Sequence, residues 1–156
     1  MKRFERQQVR DEEPDIAALK REYNEQGKFV TYFDEGDAYW AEVGLYRQPE
    51  YTAAGKHLSL TAAIELANEN LQEWLAYEQA GYMRIGSEQI GNAWVNRYVY
   101  AEGDDRLWQR SVIRRGGYGV HVIDDDQGVS GDQLSPADVD RMREKEVEYI
   151  NALNWQ

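Results

Sequence analysis

Three glutamates stand at a spacing that suits recognition of a cationic partner. Glu65, Glu69 and Glu73 follow one another at four-residue steps, so on a helix they form a row that advances about 6 Å per step. Like charges at this spacing destabilise a helix by roughly a few tenths of a kcal/mol per pair, and no Lys or Arg lies between Ser59 and Ala80. The row is either a solvated or arginine-paired face, or a surface that imitates a nucleic-acid backbone and occupies a nucleic-acid-binding protein.

A second acidic segment is the run Asp124, Asp125 and Asp126. Carboxylates in a glycine-containing loop suggest calcium, but the required pattern is missing. Counted from Asp124, the twelfth residue is Ser135 where an EF-hand loop needs a bidentate glutamate, and the sixth is Val129 rather than glycine. We therefore expect no metal site, and we assign the three aspartates to partner binding.

The two histidines, His57 and His121, are the remaining candidates for chemistry. His121 with Asp124 or Asp126 could form a general base and its orienting acid, but no serine lies in a nucleophile elbow. The chain has no cysteine, which excludes Cys-ligated zinc, iron–sulfur clusters and thiol catalysis. We expect no cofactor and a non-enzymatic protein. The alternative is a small enzyme or ligand-binding domain with a pocket between sheet and helix that uses His121.

The elements that position these residues follow from hydrophobic periodicity and turn residues. Ser59 is predicted to cap the central helix, which carries the glutamate row and ends at Gly81. The residues 135–138 (Ser-Pro-Ala-Asp) are predicted to open the last helix as a variant of the capping box. The other predicted elements are a polar arm over 1–13, a helix over about 14–26, a hairpin of 28–33 and 38–46, a loop over 47–58 with a short strand near 51–53, and strands over about 92–101, 106–114 and 118–124.

This order of elements predicts an α+β fold. We expect a mainly antiparallel sheet, built from a hairpin and a three-stranded meander, packed with a central helix and a C-terminal helix. No low-complexity linker interrupts the chain, so residues 14–156 are predicted to form a single domain after the arm.

The charge of the chain is strongly negative and uneven. The 156 residues contain 18 Lys and Arg against 29 Asp and Glu, a formal net charge of −11. Residues 59–80 carry −4 and residues 124–148 carry −6, whereas the strand region 92–123 carries +2. A chain without a basic footprint is not expected to bind nucleic acid directly. No apolar run approaches the ~20 residues that span a bilayer, so we expect a cytoplasmic protein that does not enter a membrane.

The aromatic residues suggest an interface. The chain has 11 Tyr and 5 Trp but only 3 Phe, and the first two types combine apolar area with a polar tip that suits half-buried surfaces. We single out Trp40 and Trp94 as anchors for a partner. A sheet that carries aromatic residues on its outer faces is the alternative, and a homo-oligomer with the aromatics at its interface is also open.

Residues 29–75 carry a pattern of short motifs. The motif residues are Gly36-Asp37, Tyr39-Trp40-Ala41-Glu42-Val43, Leu45, Thr52, Gly55, Ala62-Ala63, Ala67-Asn68 and Glu73-Trp74-Leu75. This stretch resembles the N-terminal half-domain of HicB-type antitoxins, although Gln48-Pro49-Glu50-Tyr51 stands where that family has a Leu-Pro-Gly-Cys block. The resemblance implies a chain that binds and neutralises a partner protein through a strand–helix surface. It agrees with our leading hypothesis of an acidic module that inhibits or regulates a cationic, nucleic-acid-processing protein.

Overall fold

The computed structural model describes residues 14–101, 106–115, 120–125, 129–130 and 135–153. The helices are α1 (Pro14–Glu25), α2 (Leu60–Gln79) and α3 (Pro136–Leu153). The strands are β1 (Lys28–Asp34), β2 (Tyr39–Leu45), β3 (Thr52–His57), β4 (Met83–Ile90), β5 (Ala93–Ala101), β6 (Arg106–Arg114), β7 (Val120–Asp124) and β8 (Val129–Ser130). All strand pairs are antiparallel, so the predicted α+β class is confirmed.

The chain divides into two compact units, Met1–Glu73 and Trp74–Gln156, and the division falls within α2. The single domain expected over residues 14–156 stays a prediction.

The first unit is built on a three-stranded sheet in the order β1-β2-β3. Ala41 and Val43 of β2 are fully buried, and so are Ala63 and Ile64 of α2. A Cβ atom on Gly55 of β3 would come within 2.7 Å of backbone atoms of α2. The helices therefore cover the sheet face that carries alternate residues of β2 beginning with Ala41, because side chains alternate between the two faces of a strand.

The second unit is built on a sheet in the order β4-β5-β6-β7, with the short β8 also paired to β6. Its apolar cluster joins Ala93 and Val95 of β5, Ile113 of β6 and Ile150 of α3. Helix α3 therefore covers one face of this sheet, as its apolar stripe predicts.

Strand β4 was not predicted from the sequence. Strand β3 is longer than the short strand predicted near residues 51–53. Half of the residues of β4 are polar, and its register against β5 shifts between Arg84 and Gly86, which breaks the alternation on which strand prediction depends. The predicted arm over 1–13 lies outside the described residues, and so do residues 102–105 and 116–119.

The predicted helix caps are confirmed. The amide of Ala62 donates to Oγ of Ser59 at 3.3 Å, which satisfies one of the free N–H groups at the start of α2. At the start of α3 the amide of Asp138 donates to Oγ of Ser135 at 3.2 Å, and the Ser135 amide donates back to Oδ2 of Asp138 at 3.0 Å. This reciprocal pair is the predicted capping box.

Candidate functional site

The predicted glutamate row lies at the side of the buried stripe of α2. Glu65 and Glu69 are exposed and Glu73 is half-buried, whereas Ile64 and Leu71 are fully buried. The helix is held on the sheet by this apolar stripe and begins at its serine cap. Packing therefore fixes the rotation of α2 and directs the first two carboxylates of the row to solvent.

A neighbouring helix adds carboxylate charge to this row. Tyr23 of α1 is only 5% exposed, and the pKa of its phenol is raised to about 12 by burial and then by the negative charges of Glu65, Glu22 and Glu69. A phenol that senses three carboxylates from two helices shows that these charges share one neighbourhood. We call Glu22, Glu65, Glu69 and Glu73 the acidic face.

Lys28, whose ammonium group lies over the ring of Tyr23, is held inside the first unit. Lys28 is 5% exposed, and its Nζ donates to Oδ1 of Asn68 at 2.9 Å and to Oε1 of Gln26 at 3.0 Å. Burial lowers the pKa of this ammonium group, although the charge of Glu22 acts in the opposite direction. Lys28 therefore has amide oxygens, rather than a carboxylate of the acidic face, as its hydrogen-bond partners here.

Trp40 lies on the other side of the same sheet. Residues 40 and 41 alternate along β2, so Trp40 points away from α1 and α2. Its ring stacks on Phe33 with centroids 6.5 Å apart, and its Nε1 donates to Oε2 of Glu42 at 3.0 Å. Trp40 is half-buried and cannot contribute to a flat interface centred on the acidic face.

Trp94 lies inside the second unit. It is 5% exposed, and its Nε1 donates to Oδ1 of Asn96 at 3.1 Å. A partner cannot reach this ring in the folded chain, so we omit it from the binding surface. A tyrosine cluster of the same unit accounts for part of the aromatic excess, since Tyr77 stacks on the buried Tyr98 with centroids 4.5 Å apart.

The aspartates predicted as a second binding segment separate into different environments. Asp124 is exposed, but both its carboxylate oxygens accept hydrogen bonds from Arg110, at 2.8 and 3.1 Å, and this pairing raises the pKa of the Arg110 guanidinium. Asp125 is 1% exposed and binds Arg141 of α3. Asp126 lies outside the described residues. Asp124 and Asp125 are therefore structural ion pairs here, and we omit them from the proposed surface.

The two histidines each contact a group that explains their position. The Nδ1 atom of His121 lies 3.0 Å from the hydroxyl of Tyr149 on α3, and Nδ1 of His57 accepts the amide of Ser59 at 3.3 Å. An open surface depression of about 340 Å³ is lined by Lys20, Arg21, Asn24 and Glu25 of α1 and by neither histidine. Across the described ranges, no group of three His, Asp or Glu residues could hold a metal ion.

A buried charge network in the second unit was not anticipated. Glu146 of α3 is fully buried and accepts two hydrogen bonds from Arg97, at 2.8 and 2.6 Å, and a third from Ser111. Arg97 also donates to Glu88 of β4 at 2.8 Å, and Glu88 accepts bonds from Arg143. These charges are paired inside the unit and tie β4, β5 and α3 together.

The structure also shows a second acidic row that sequence reasoning missed. Asp140, Glu144 and Glu148 of α3 repeat the four-residue spacing of the glutamates on α2, and all three are exposed. Unlike α2, α3 also contains basic side chains within the same stretch, Arg141, Arg143 and Lys145. The spacing was visible in the sequence, and this row supplies a natural comparison for the first one.

No helix in the described part of the chain is long and apolar enough to cross a membrane. We compared the chain with protein-family models, with curated proteins and with solved structures, and none of the three comparisons gave a match. The resemblance to HicB-type antitoxins therefore stays a prediction. Any functional conclusion has to rest on the surface and the charges of the molecule itself.

Proposed function

We propose that this chain is a non-enzymatic, acidic protein-binding module that inhibits or regulates a partner with a basic, nucleic-acid-binding surface. The observation that carries the proposal is the row on α2, where Glu65 and Glu69 are exposed on a helix that contains no Lys or Arg. Glu73 extends this row along α2, and Glu22 of α1 adds negative charge near the phenol of Tyr23.

The geometry of the acidic face supports recognition of a cationic surface. The four-residue steps of α2 place carboxylates about 6 Å apart along a straight line, a regular row of negative charge comparable to the phosphates of a nucleic-acid strand. A surface of one sign raises the rate at which a partner of the opposite sign associates. The partner class is therefore a protein whose basic groups normally contact phosphates.

The energetics of the helix favour the same conclusion. The residues of α2 include no Lys or Arg, so the repulsion between successive glutamates costs helix stability. A cationic partner would remove this cost on binding, because its ammonium or guanidinium groups would lie between the carboxylates. The row on α3, in contrast, has basic neighbours in its own helix, Arg141, Arg143 and Lys145.

The proposal is tested by charge reversal with a matched control. The variant E65K/E69K/E73K reverses the row on α2, and D140K/E144K/E148K makes the same change in charge at the same spacing on α3. Partner capture from cell extract at about 0.1 M salt should fall by roughly tenfold or more for the first variant. The control should retain most of the captured protein, and circular dichroism should show that both variants are folded.

Salt and competing DNA provide two further measurements on the captured protein. Salt of about 0.5 M should release the captured protein because it screens exposed charges, and a short DNA duplex should compete for it. Equal capture by the wild type and E65K/E69K/E73K would refute the proposal. Equal loss from both variants would show that net charge, rather than the acidic face, is responsible, and would refute it as well.

A further inference from the structure

Strand β7 forms one edge of the sheet in the second unit and carries exposed apolar side chains. Val120 is 46% exposed and Val122 is 45% exposed. Strand β7 pairs with β6 on one side, and no described strand pairs with its other side. An edge with free backbone groups and apolar side chains favours the addition of another strand.

The charge on this edge is already compensated within the chain. Asp124 is the one charged side chain among Val120, Val122 and Asp124, which share the sheet face opposite α3. Arg110 on the adjacent strand binds both oxygens of Asp124. The aspartate therefore does not protect the edge from association in the way that an uncompensated charge does.

The opposite edge of the same sheet is less suited to strand addition. Strand β4 also exposes apolar side chains, with Met83 62% and Ile85 39% exposed. Its register shifts between Arg84 and Gly86, however, and a bulge of this kind twists an edge strand and interrupts its row of hydrogen-bonding groups. No register shift interrupts the pairing of β7 with β6.

We infer that the exposed edge of β7 binds β7 of a second copy of this chain, in an antiparallel pair centred on Val122. A two-fold axis through this residue places Val122 opposite Val122 of the second copy, and Val120 opposite Asp124. On the other face His121 lies opposite Ile123. Each aspartate enters the interface together with its own arginine, so the four charges sum to zero and the contact is complementary to itself. The result is one continuous sheet shared by two copies.

The salt dependence of this dimer differs from that of partner binding by the acidic face. Each copy carries a net charge of −11, so two copies repel one another and added salt should strengthen the dimer. Binding of a basic partner should weaken under the same change. The dimer is independent of the proposed function. Because salt should strengthen the dimer and weaken partner binding, an experiment can refute one of the two without refuting the other.

The absence of cysteine from the chain permits a direct test. Residues directly opposite in an antiparallel pair have Cα atoms about 4.5–5.5 Å apart, which lies within the range of about 4.4–6.8 Å that a disulfide requires. Under mild oxidation V122C should therefore form a covalent dimer at least roughly tenfold faster than M83C, which places a cysteine on the opposite edge of the sheet. Adding E65K/E69K/E73K to V122C should leave the cross-linking in place.

The oligomeric state of the unmodified chain provides a second measurement. Light scattering after size exclusion should show a dimer fraction that grows with protein concentration and with salt. V120K/V122K should abolish this fraction, while M83K/I85K should retain it. Cross-linking of V122C no faster than that of M83C, a chain that is monomeric at all concentrations, or a dimer that survives V120K/V122K would each overturn the inference.

Discussion

At the scale of single residues, the least anticipated feature is a carboxylate within an apolar stripe. Glu146 stands four residues after Met142 and four before Ile150, and all three are buried. This four-residue spacing puts Glu146 on the inner side of α3, a signal in the sequence from which its burial was not predicted. Its partner was not, because Arg97 is 49 residues away and no local pattern links the two. Buried ion pairs depend on tertiary contacts of this kind.

The serine caps could be predicted from the sequence, whereas the need for glycine at position 55 could not. The difference is whether a feature depends on neighbouring residues or on tertiary packing. A cap depends on three or four consecutive residues, which the sequence shows together. The need for glycine at position 55 depends on how closely α2 approaches β3, which is a property of the packed unit. Glu65 and Glu69 were predictable as exposed, since the apolar stripe beside them determines the orientation of the helix.

We predict that Gly55→Ala destabilises the protein. The added Cβ would lie 2.7 Å from both the carbonyl oxygen of Ala63 and the amide nitrogen of Ala67, and backbone atoms of a packed helix cannot easily move. The free energy of unfolding in urea should fall by about 1–3 kcal/mol. Gly86→Ala is the control, because nothing lies within 4 Å of its Cβ position; equal effects of the two substitutions would contradict this account of the packing.

At the scale of elements, strand β4 is held to its unit by charge more than by apolar burial. Most of its side chains are exposed or half-buried, while Glu88 binds Arg97 of β5 and Arg143 of α3. The clearly patterned elements, such as β1, β2 and α2, were predicted because apolar periodicity reports their burial. An edge strand that depends on a distant arginine gives no such pattern, and for this reason β4 was missed.

The attachment of β4 should depend on pH. Hydrogen bonds from Arg143 and then Arg97 hold the pKa of Glu88 below its ordinary value of 4.5, although burial opposes them. A lowered carboxyl pKa stabilises the fold above the ordinary value, and this contribution is lost as pH falls through the lower folded value. At neutral pH, the free energy of unfolding of E88Q should be roughly 1 kcal/mol lower than that of the wild type; this value allows for the partial exposure of Glu88.

The difference between E88Q and the wild type should shrink as the pH falls below 4.5, where Glu88 of the unfolded chain becomes protonated, and it should reach its minimum below the lowered folded pKa, where Glu88 is neutral in both states. Urea unfolding at a series of pH values measures it. The control is E144Q, whose side chain is exposed on α3 and should show a small difference at every pH. A difference for E88Q that is constant with pH would contradict the assigned ion pairs.

At the scale of the whole molecule, the net charge is −11. The charge that each part of the fold exposes differs from the sum of charges over the corresponding sequence segment. The strand region appeared mildly basic, but Arg97 and Arg110 are paired with carboxylates of the second unit. Exposed carboxylates remain on the helices, as at Glu65 and Glu69, and also outside them, at Glu35, Asp37 and Glu50. Composition predicted an acidic protein, and the sequence already showed that residues 59–80 contain no Lys or Arg. The folded chain adds that Glu65 and Glu69 of this helix are exposed.

The central claim is that the acidic face steers a basic partner onto the chain. The most direct measurement is the association rate constant with the captured partner, followed from about 0.05 to 0.5 M salt for the wild type, E65K/E69K/E73K and D140K/E144K/E148K. The wild-type rate should fall by roughly tenfold or more as salt screens the charges. The control should remain close to the wild type, and E65K/E69K/E73K should be slow and nearly independent of salt. The same rate and salt dependence for E65K/E69K/E73K as for the wild type would contradict the claim.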